Sequence, residues 1–178
     1  MKTKLKCFSL PISFLFIVLL PTNLYSQIWG MSFGASTDAT VFGDVLYNKN
    51  NHFFHLGGTY QITDAKGEEK TDRKSNYGLT ISGSGDKFYT FDIGYGYEII
   101  DTIVVFVEVS FGQKKYYTNY NDNRFKDGGY HLIDKEETIT GFGIGGSYKI
   151  NNQFLVFMSF NTIRKLGAGI RFLFNVYK

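Results

Sequence analysis

From Tyr89 to Ile99 every second residue is large and apolar, with Thr90, Asp92, Gly94, Gly96 and Glu98 between them. After Ile100, Asp101 and Thr102 the rhythm resumes, Ile103, Val105, Val107, Val109 and Phe111 alternating with Val104, Phe106, Glu108, Ser110 and Gly112. Period-two alternation carried by aromatic and β-branched residues predicts an antiparallel hairpin with two unlike faces. In a soluble sandwich the face opposite the apolar one is solvated and rich in Lys, Glu, Asp and Arg. Here that face holds mostly Gly, Ser and Thr with an occasional charge, a composition suited to a cramped polar interior. The aromatic face is therefore predicted to turn outward, to lipid. Only helices and closed barrels satisfy their backbone hydrogen bonds in a bilayer, so the expected fold is all-β, an eight-stranded antiparallel up-and-down transmembrane β-barrel.

The same rhythm predicts the other strands. Trp29, Met31, Phe33 and Ala35 alternate with Gly30, Ser32 and Gly34 in the first, and 37–50 reads as a polar loop. The second sets His52, Phe54, Leu56, Gly58, Tyr60 and Ile62 against Phe53, His55, Gly57, Thr59 and Gln61. A densely charged connection, 63–75, cannot lie in hydrocarbon. Tyr77, Leu79 and Ile81 then mark a third strand that turns at Ser84, Gly85 and Asp86 into the central hairpin. The longest connection, 114–134, is rich in Tyr, Asn and Asp. A sixth strand sets Phe142, Ile144, Tyr148 and Ile150 against Gly141, Gly143, Gly145 and Ser147, with a turn at Asn151 and Asn152. Phe154, Val156, Met158 and Phe160 mark the seventh, and a short connection near Arg164 enters the eighth, with Leu166, Ala168, Ile170, Phe172 and Phe174 on one face. An even count puts both chain ends on the periplasmic side. The turns at Asp101 and Asn151 are then periplasmic, 37–50 and 114–134 face outward, and 63–75 becomes a periplasmic turn of unusual length.

The N-terminus changes the meaning of the charge. Lys2, Lys4 and Lys6 precede an apolar stretch from Phe8 to Leu20, and 21–26 forms a polar exit, so 1–26 reads as a signal peptide cleaved between Ser26 and Gln27. The barrel domain is then 27–178. The leader removes three lysines and no acid, leaving 16 basic against 16 acidic residues, so the basic pI says nothing about nucleic acid. Cys7, the one cysteine, precedes the apolar run and leaves with the leader, so no disulfide is expected.

In the last strand Lys165, Gly167, Ile170 and Phe172 fit a polar, Gly, hydrophobic, hydrophobic pattern that resembles the C-terminal signal of outer-membrane barrels. Leader, eight alternating strands and final strand together resemble the small eight-stranded outer-membrane barrels, the class of the outer membrane protein A transmembrane domain and of outer membrane protein X. Tyr and Asn content and the Ser-Gln cleavage context are similar to Bacteroidetes members of that class. The resemblance implies an outer-membrane address in a Gram-negative cell and a setting of lipid and lipopolysaccharide. It also implies delivery by the barrel assembly machinery.

An eight-stranded barrel is just wide enough for side chains to fill it, so no open channel and no cofactor are expected. The inward charges Asp92, Glu98, Glu108, Lys149 and Arg171 are expected to form a structural polar network, because an unpaired charge there is costly. His52 and His55 fall on opposite faces of one strand and cannot share a metal ion. His55 is the one candidate for catalysis, since some barrels of this size modify lipid A with a His and a nearby Ser; no such local pair accompanies it. Gly141, Gly143 and Gly145 lie on one strand face with no helix following, which excludes a phosphate loop and suits relief of crowding in the lumen. Tyr116, Tyr117, Tyr120, Phe125 and Tyr130, in the longest connection, are candidates for recognition of an extracellular partner or a glycan. The expected role is therefore non-enzymatic, structural or surface-interacting. The alternatives are a soluble periplasmic barrel binding an apolar ligand and a lipid A-modifying barrel enzyme.

Overall fold

The computed structural model describes residues 27–174, so the expected leader lies outside the described residues. Nine strands form: β1 (Gln27–Ser36), β2 (Thr40–Lys49), β3 (His52–Gln61), β4 (Glu68–Lys70), β5 (Thr80–Ile100), β6 (Ile103–Asn121), β7 (Gly129–Lys149), β8 (Phe154–Asn161) and β9 (Lys165–Phe174). Eight of them close a ring in the order β1, β2, β3, β5, β6, β7, β8, β9, with β9 paired back to β1. Every pairing in the ring is antiparallel, while β4 adds in parallel to the outer edge of β7. Among the described residues no helix is long and apolar enough to cross a membrane.

The ring is inside out relative to a soluble protein. Tyr89, Phe91, Ile93, Tyr95 and Tyr97 are exposed, and between them Thr90 and Asp92 are buried. Val105 and Val107 are exposed, whereas Glu108 and Ser110 are buried. The belt continues around the ring through Phe33, Phe54, Leu56, Ile144, Met158, Phe160 and Ile170. Toward the end with short turns it becomes aromatic: the rings of Trp29 and Tyr47 are 5.0 Å apart, those of Phe54 and Tyr95 5.3 Å, and those of Phe154 and Phe172 4.8 Å. An apolar band edged by aromatic residues is the outer surface of a membrane barrel.

Eight ring strands form, as expected, but with different boundaries. The segment 37–50 is β2 rather than a loop, joined to β1 by only 37–39. Its alternation is masked because Phe42 and Leu46 point into the lumen, so both of its faces carry apolar residues. Conversely, Ser84, Gly85 and Asp86 make no turn; they lie within β5, paired with Thr118, Tyr117 and Tyr116 of β6. Small residues that look like a turn locally are held extended by that long pairing. These two changes move 62–79 to the opposite end from the expected one. The short turns 50–51, 101–102 and 150–153 share one end, and 62–79 lies at the other. The expected 114–134 loop is also mostly strand, since β6 reaches Asn121 and β7 starts at Gly129. Strands β5, β6 and β7 thus project beyond the ring as a three-stranded extension.

The orientation of the belt makes a direct prediction. Val107→Arg, at mid-belt, should cost about 2 to 4 kcal/mol in urea titrations of the barrel folded in lipid vesicles, whereas Val107→Leu should be nearly neutral.

Candidate functional site: the packed lumen and the strapped extension

The lumen is filled in layers. Nearest the short turns, Leu46, Phe53, Val104, Leu155 and Leu173 form an apolar plug. Beside it Lys149 and Glu98 pair at 2.5 Å. Above lie Phe42, Phe106 and Phe157, and the Arg171 guanidinium sits 4.2 Å from the centre of the Phe106 ring and 4.8 Å from that of Phe157. Its hydrogen bond goes to Ser147 Oγ at 2.9 Å. Among the described residues no carboxylate lies within salt-bridge distance of it, so ring faces solvate this buried cation.

The next layer is the polar centre. Arg164 reaches the Glu108 carboxylate at 2.6 Å and Asp92 at 3.4 Å while stacking on Phe42. Thr59 and Thr90 donate to Asp92 at 2.7 and 2.9 Å, and Asn161 donates to Glu108 at 2.8 Å and to Ser110 at 3.0 Å. The expected network therefore divides into three: Asp92 with Glu108, Glu98 with Lys149, and Arg171 on its aromatic rings. Arg164 joins the two carboxylates of the first group. It was legible only as a turn residue, because strand alternation ends at 162–164 and gives no sign that a side chain dives back into the lumen.

Bulky groups fit because glycines face them. Gly94 lies opposite His55 and Gly143 opposite Glu108 on the neighbouring strand. A Cβ at Gly94 would overlap the His55 ring, one at Gly143 the Glu108 carboxyl, and one at Gly145 the Phe106 ring. The even spacing of Gly143 and Gly145 thus makes room for what the next strand brings in. His55 is 3 % exposed, with Nε2 3.6 Å from Glu108 and its ring edge-on to Phe106. His52 is on the outside, 2.7 Å from the Tyr95 hydroxyl. Among the described residues no group of His, Asp or Glu is arranged to hold a metal ion.

The extension carries its own interior. The connection 62–79 straps around it, first over one face: Asp64 accepts from the Tyr117 hydroxyl at 2.6 Å, Asn119 accepts from Lys66 N–H at 2.9 Å, and Glu69 lies 2.8 Å from both Lys87 and Lys115. At the edge of β7 it forms β4, then returns over the other face, where Tyr77 packs on Phe125 and Tyr130 and Arg73 lies over Tyr120. The Lys115 and Lys87 ammonium groups hold the Glu69 carboxyl at about 2, below its ordinary 4.5. Arg124 and the Gly78 N–H likewise hold Asp122 well below the usual carboxylate range, tying the 122–128 loop to the strap.

This strap corrects the expectation of an open aromatic surface. Tyr117, Tyr120 and Tyr130 are buried, because successive residues of β6 point to opposite faces and the strap covers both. Tyr120 and Tyr130 stack 5.1 Å apart, and Phe125 is half-buried against Tyr130. Tyr116 donates to Glu137 at 2.7 Å and has Lys114 and Lys135 over its ring. In the last strand Lys165 opens β9 with φ 65°, Gly167 faces Phe42, Ile170 faces outward, and the Phe172 ring lies tilted against Phe154 and edge-on to Phe174.

No family model and no curated protein matches the sequence. Solved structures of similar shape include Neisserial surface protein A, at 12 % identity and a TM-score of 0.48, covering 83 % of this chain and 95 % of that one. The N-terminal β-barrel domain of Pseudomonas aeruginosa OprF is similar at 13 % identity and a TM-score of 0.49, covering 83 % and 96 %. Ail, the attachment invasion locus protein of Yersinia pestis, is similar at 12 % identity and 0.43, covering 83 % and 91 %.

Two variants probe the polar centre. Arg164→Met strands Glu108 and Asp92 and should cost about 3 to 5 kcal/mol in urea titrations. Gly94→Ala should cost about 1 to 3 kcal/mol through its clash with His55, and His55→Ala in the same chain should recover most of that loss. Since lipid is the medium in which the outward belt is stable, the chain is a small eight-stranded transmembrane β-barrel of the outer-membrane type.

Proposed function

We propose that this barrel resides in the outer membrane of a Gram-negative cell and acts as a rigid mount for its extension, with a structural or surface-interaction role outside the cell. The observation that carries this reading is the asymmetry of the two ends. One end has turns of two to four residues, while the other raises three strands and ties them with the strap. Barrels of this type keep short turns in the periplasm and longer elements outside, so the extension faces the exterior, amid lipopolysaccharide. A partner would meet the exposed parts of the strap, 71–76, and the exposed residues of the 122–128 loop, with the buried tyrosines as their support.

The layered lumen supports a barrel without an open pore, and the burial of His55 supports a non-enzymatic role. Nothing in the described residues favours a nucleic-acid role or a soluble apolar-ligand binder. In this reading Lys165, Gly167, Ile170 and Phe172 of the last strand serve as the signal for the barrel assembly machinery, which the outward position of Ile170 supports.

The test is topological. In cells making Asn76→Cys, a membrane-impermeant maleimide should label the protein on intact cells, whereas Asn152→Cys should label only after permeabilisation. The reverse pattern would overturn the orientation. Purified protein in planar bilayers should show no stable conductance, and a steady ohmic channel would overturn the closed lumen.

A further inference from the structure

The wall of the ring is not equally tall all round. On β5 the outward apolar run extends from Tyr89 to Ile99, between Lys87 and Asp101. At about 3.4 Å per residue and a tilt of roughly 35 to 45° this run covers about 26 to 31 Å, enough for the apolar band of about 25 Å that a membrane barrel presents. Across the ring, β8 has only 8 residues, with Phe154, Val156, Met158 and Phe160 facing outward. By the same measure it rises about 19 to 22 Å. The outward runs of β1 and β2, Trp29 to Ala35 and Val41 to Tyr47, are no longer than this, and that of β9, Leu166 to Phe174, is only slightly longer.

Both ends of this short wall are closed by groups that hydrocarbon rejects. At the short-turn end Asn151, Asn152 and Gln153 precede β8, and Asn151 Oδ1 accepts from the Gln153 and Phe154 N–H groups at 2.8 and 2.9 Å. At the extension end the turns 37–39 and 162–164 set Asp38 and Thr162 at the rim, where Lys165 Nζ donates to the Thr162 carbonyl at 2.8 Å. Hydrogen bonds fix the rim at that level: Thr37 N–H donates to the Leu166 carbonyl at 2.8 Å and Thr162 N–H to that of Phe142 at 2.9 Å. Ala39 and Lys165, where the two turns meet β2 and β9, are left-handed, at φ 51° and 65°. Tilting the barrel raises one wall against the other but lengthens neither. Thinning a bilayer costs only a modest amount per ångström, whereas a charged group drawn into hydrocarbon costs more, so the lipid gives way before the rim does.

We propose that the wall of β8, β9, β1 and β2 is a lipid-compressing surface: the bilayer thins where it meets this wall and keeps its ordinary thickness against β5. The partner is lipid. What it meets is a strip of exposed apolar side chains shorter than its own hydrocarbon, bounded by polar turns at both ends.

Fluorescence quenching tests this with the barrel reconstituted in dioleoylphosphatidylcholine vesicles, whose hydrocarbon core is about 30 Å thick. In a Cys7→Ser background, a bimane label is placed on Thr162→Cys or on Gln153→Cys, one at each end of β8, and a heat-dependent gel shift identifies folded protein. Both labels should be quenched by aqueous iodide and by lipids carrying a nitroxide near the headgroup, and neither by a nitroxide near the chain end. Labels on Tyr89→Cys and Ile99→Cys, at the two ends of the tall run, should feel the shallow nitroxide and lose most of the iodide quenching. Deep-nitroxide quenching at either end of β8 would mean that the bilayer keeps its thickness and engulfs the rim, and would overturn the proposal. So would iodide access without shallow-nitroxide quenching, the mark of a water-filled defect, or shielding from iodide and both nitroxides, the mark of a second copy seated on the wall. Full iodide quenching at Tyr89→Cys and Ile99→Cys would show thinning all round the ring and overturn its restriction to one wall.

Discussion

A β-strand in hydrocarbon has no water to satisfy its backbone, so each N–H and C=O must find a partner within the chain. This requirement dictates the closed ring, and the ring dictates the rest. Closure gives every strand two neighbours, fixes register to the residue, and turns one face of each strand into a wall of a narrow tube. The belt is the outside of that constraint, and the filled lumen is its inside.

In so narrow a tube, side chains must be allotted across strands rather than along them. The Gly94 position accommodates His55, and the Gly143 position accommodates Glu108. The same economy governs charge. Arg164 serves Glu108 and Asp92 together, while Arg171 is accommodated by two aromatic rings. The lumen is therefore a packed core of mixed polarity, in which hydrogen bonds and cation–π contacts replace the aliphatic contacts that the belt gives to lipid.

Much of this is legible in the sequence wherever one strand face is uniformly apolar. The hairpin of β5 and β6 states its two faces outright, and β3, β7, β8 and β9 follow the same rule. Legibility fails where the lumen itself needs hydrophobic filling. Phe42 and Leu46 turn inward and conceal β2. It fails again where strands leave the bilayer: above Phe88, β5 has no lipid to face, and Ser84 to Asp86 carry the local chemistry of a turn although pairing keeps them extended. Of the candidate site, Asp92 and Glu108 were visible as inward charges. Arg164 was not, because it enters from a turn, and the burial of His131 was not, because Lys66, whose carbonyl its ring meets, lies 65 residues earlier in the chain.

That separation bears on the order in which the molecule is put together. The strap precedes β5, β6 and β7 in the chain, yet its partners Lys87, Lys115, Asn119 and His131 all belong to those strands. Its set of partners is complete only when all three are paired. During assembly the segment carrying Asp64, Lys66, Glu68, Glu69, Lys70, Asp72, Arg73 and Lys74 must wait in water as a charged, soluble tether between β3 and β5. Its dense charge, which keeps it out of hydrocarbon, becomes on completion the set of contacts that ties the extension together.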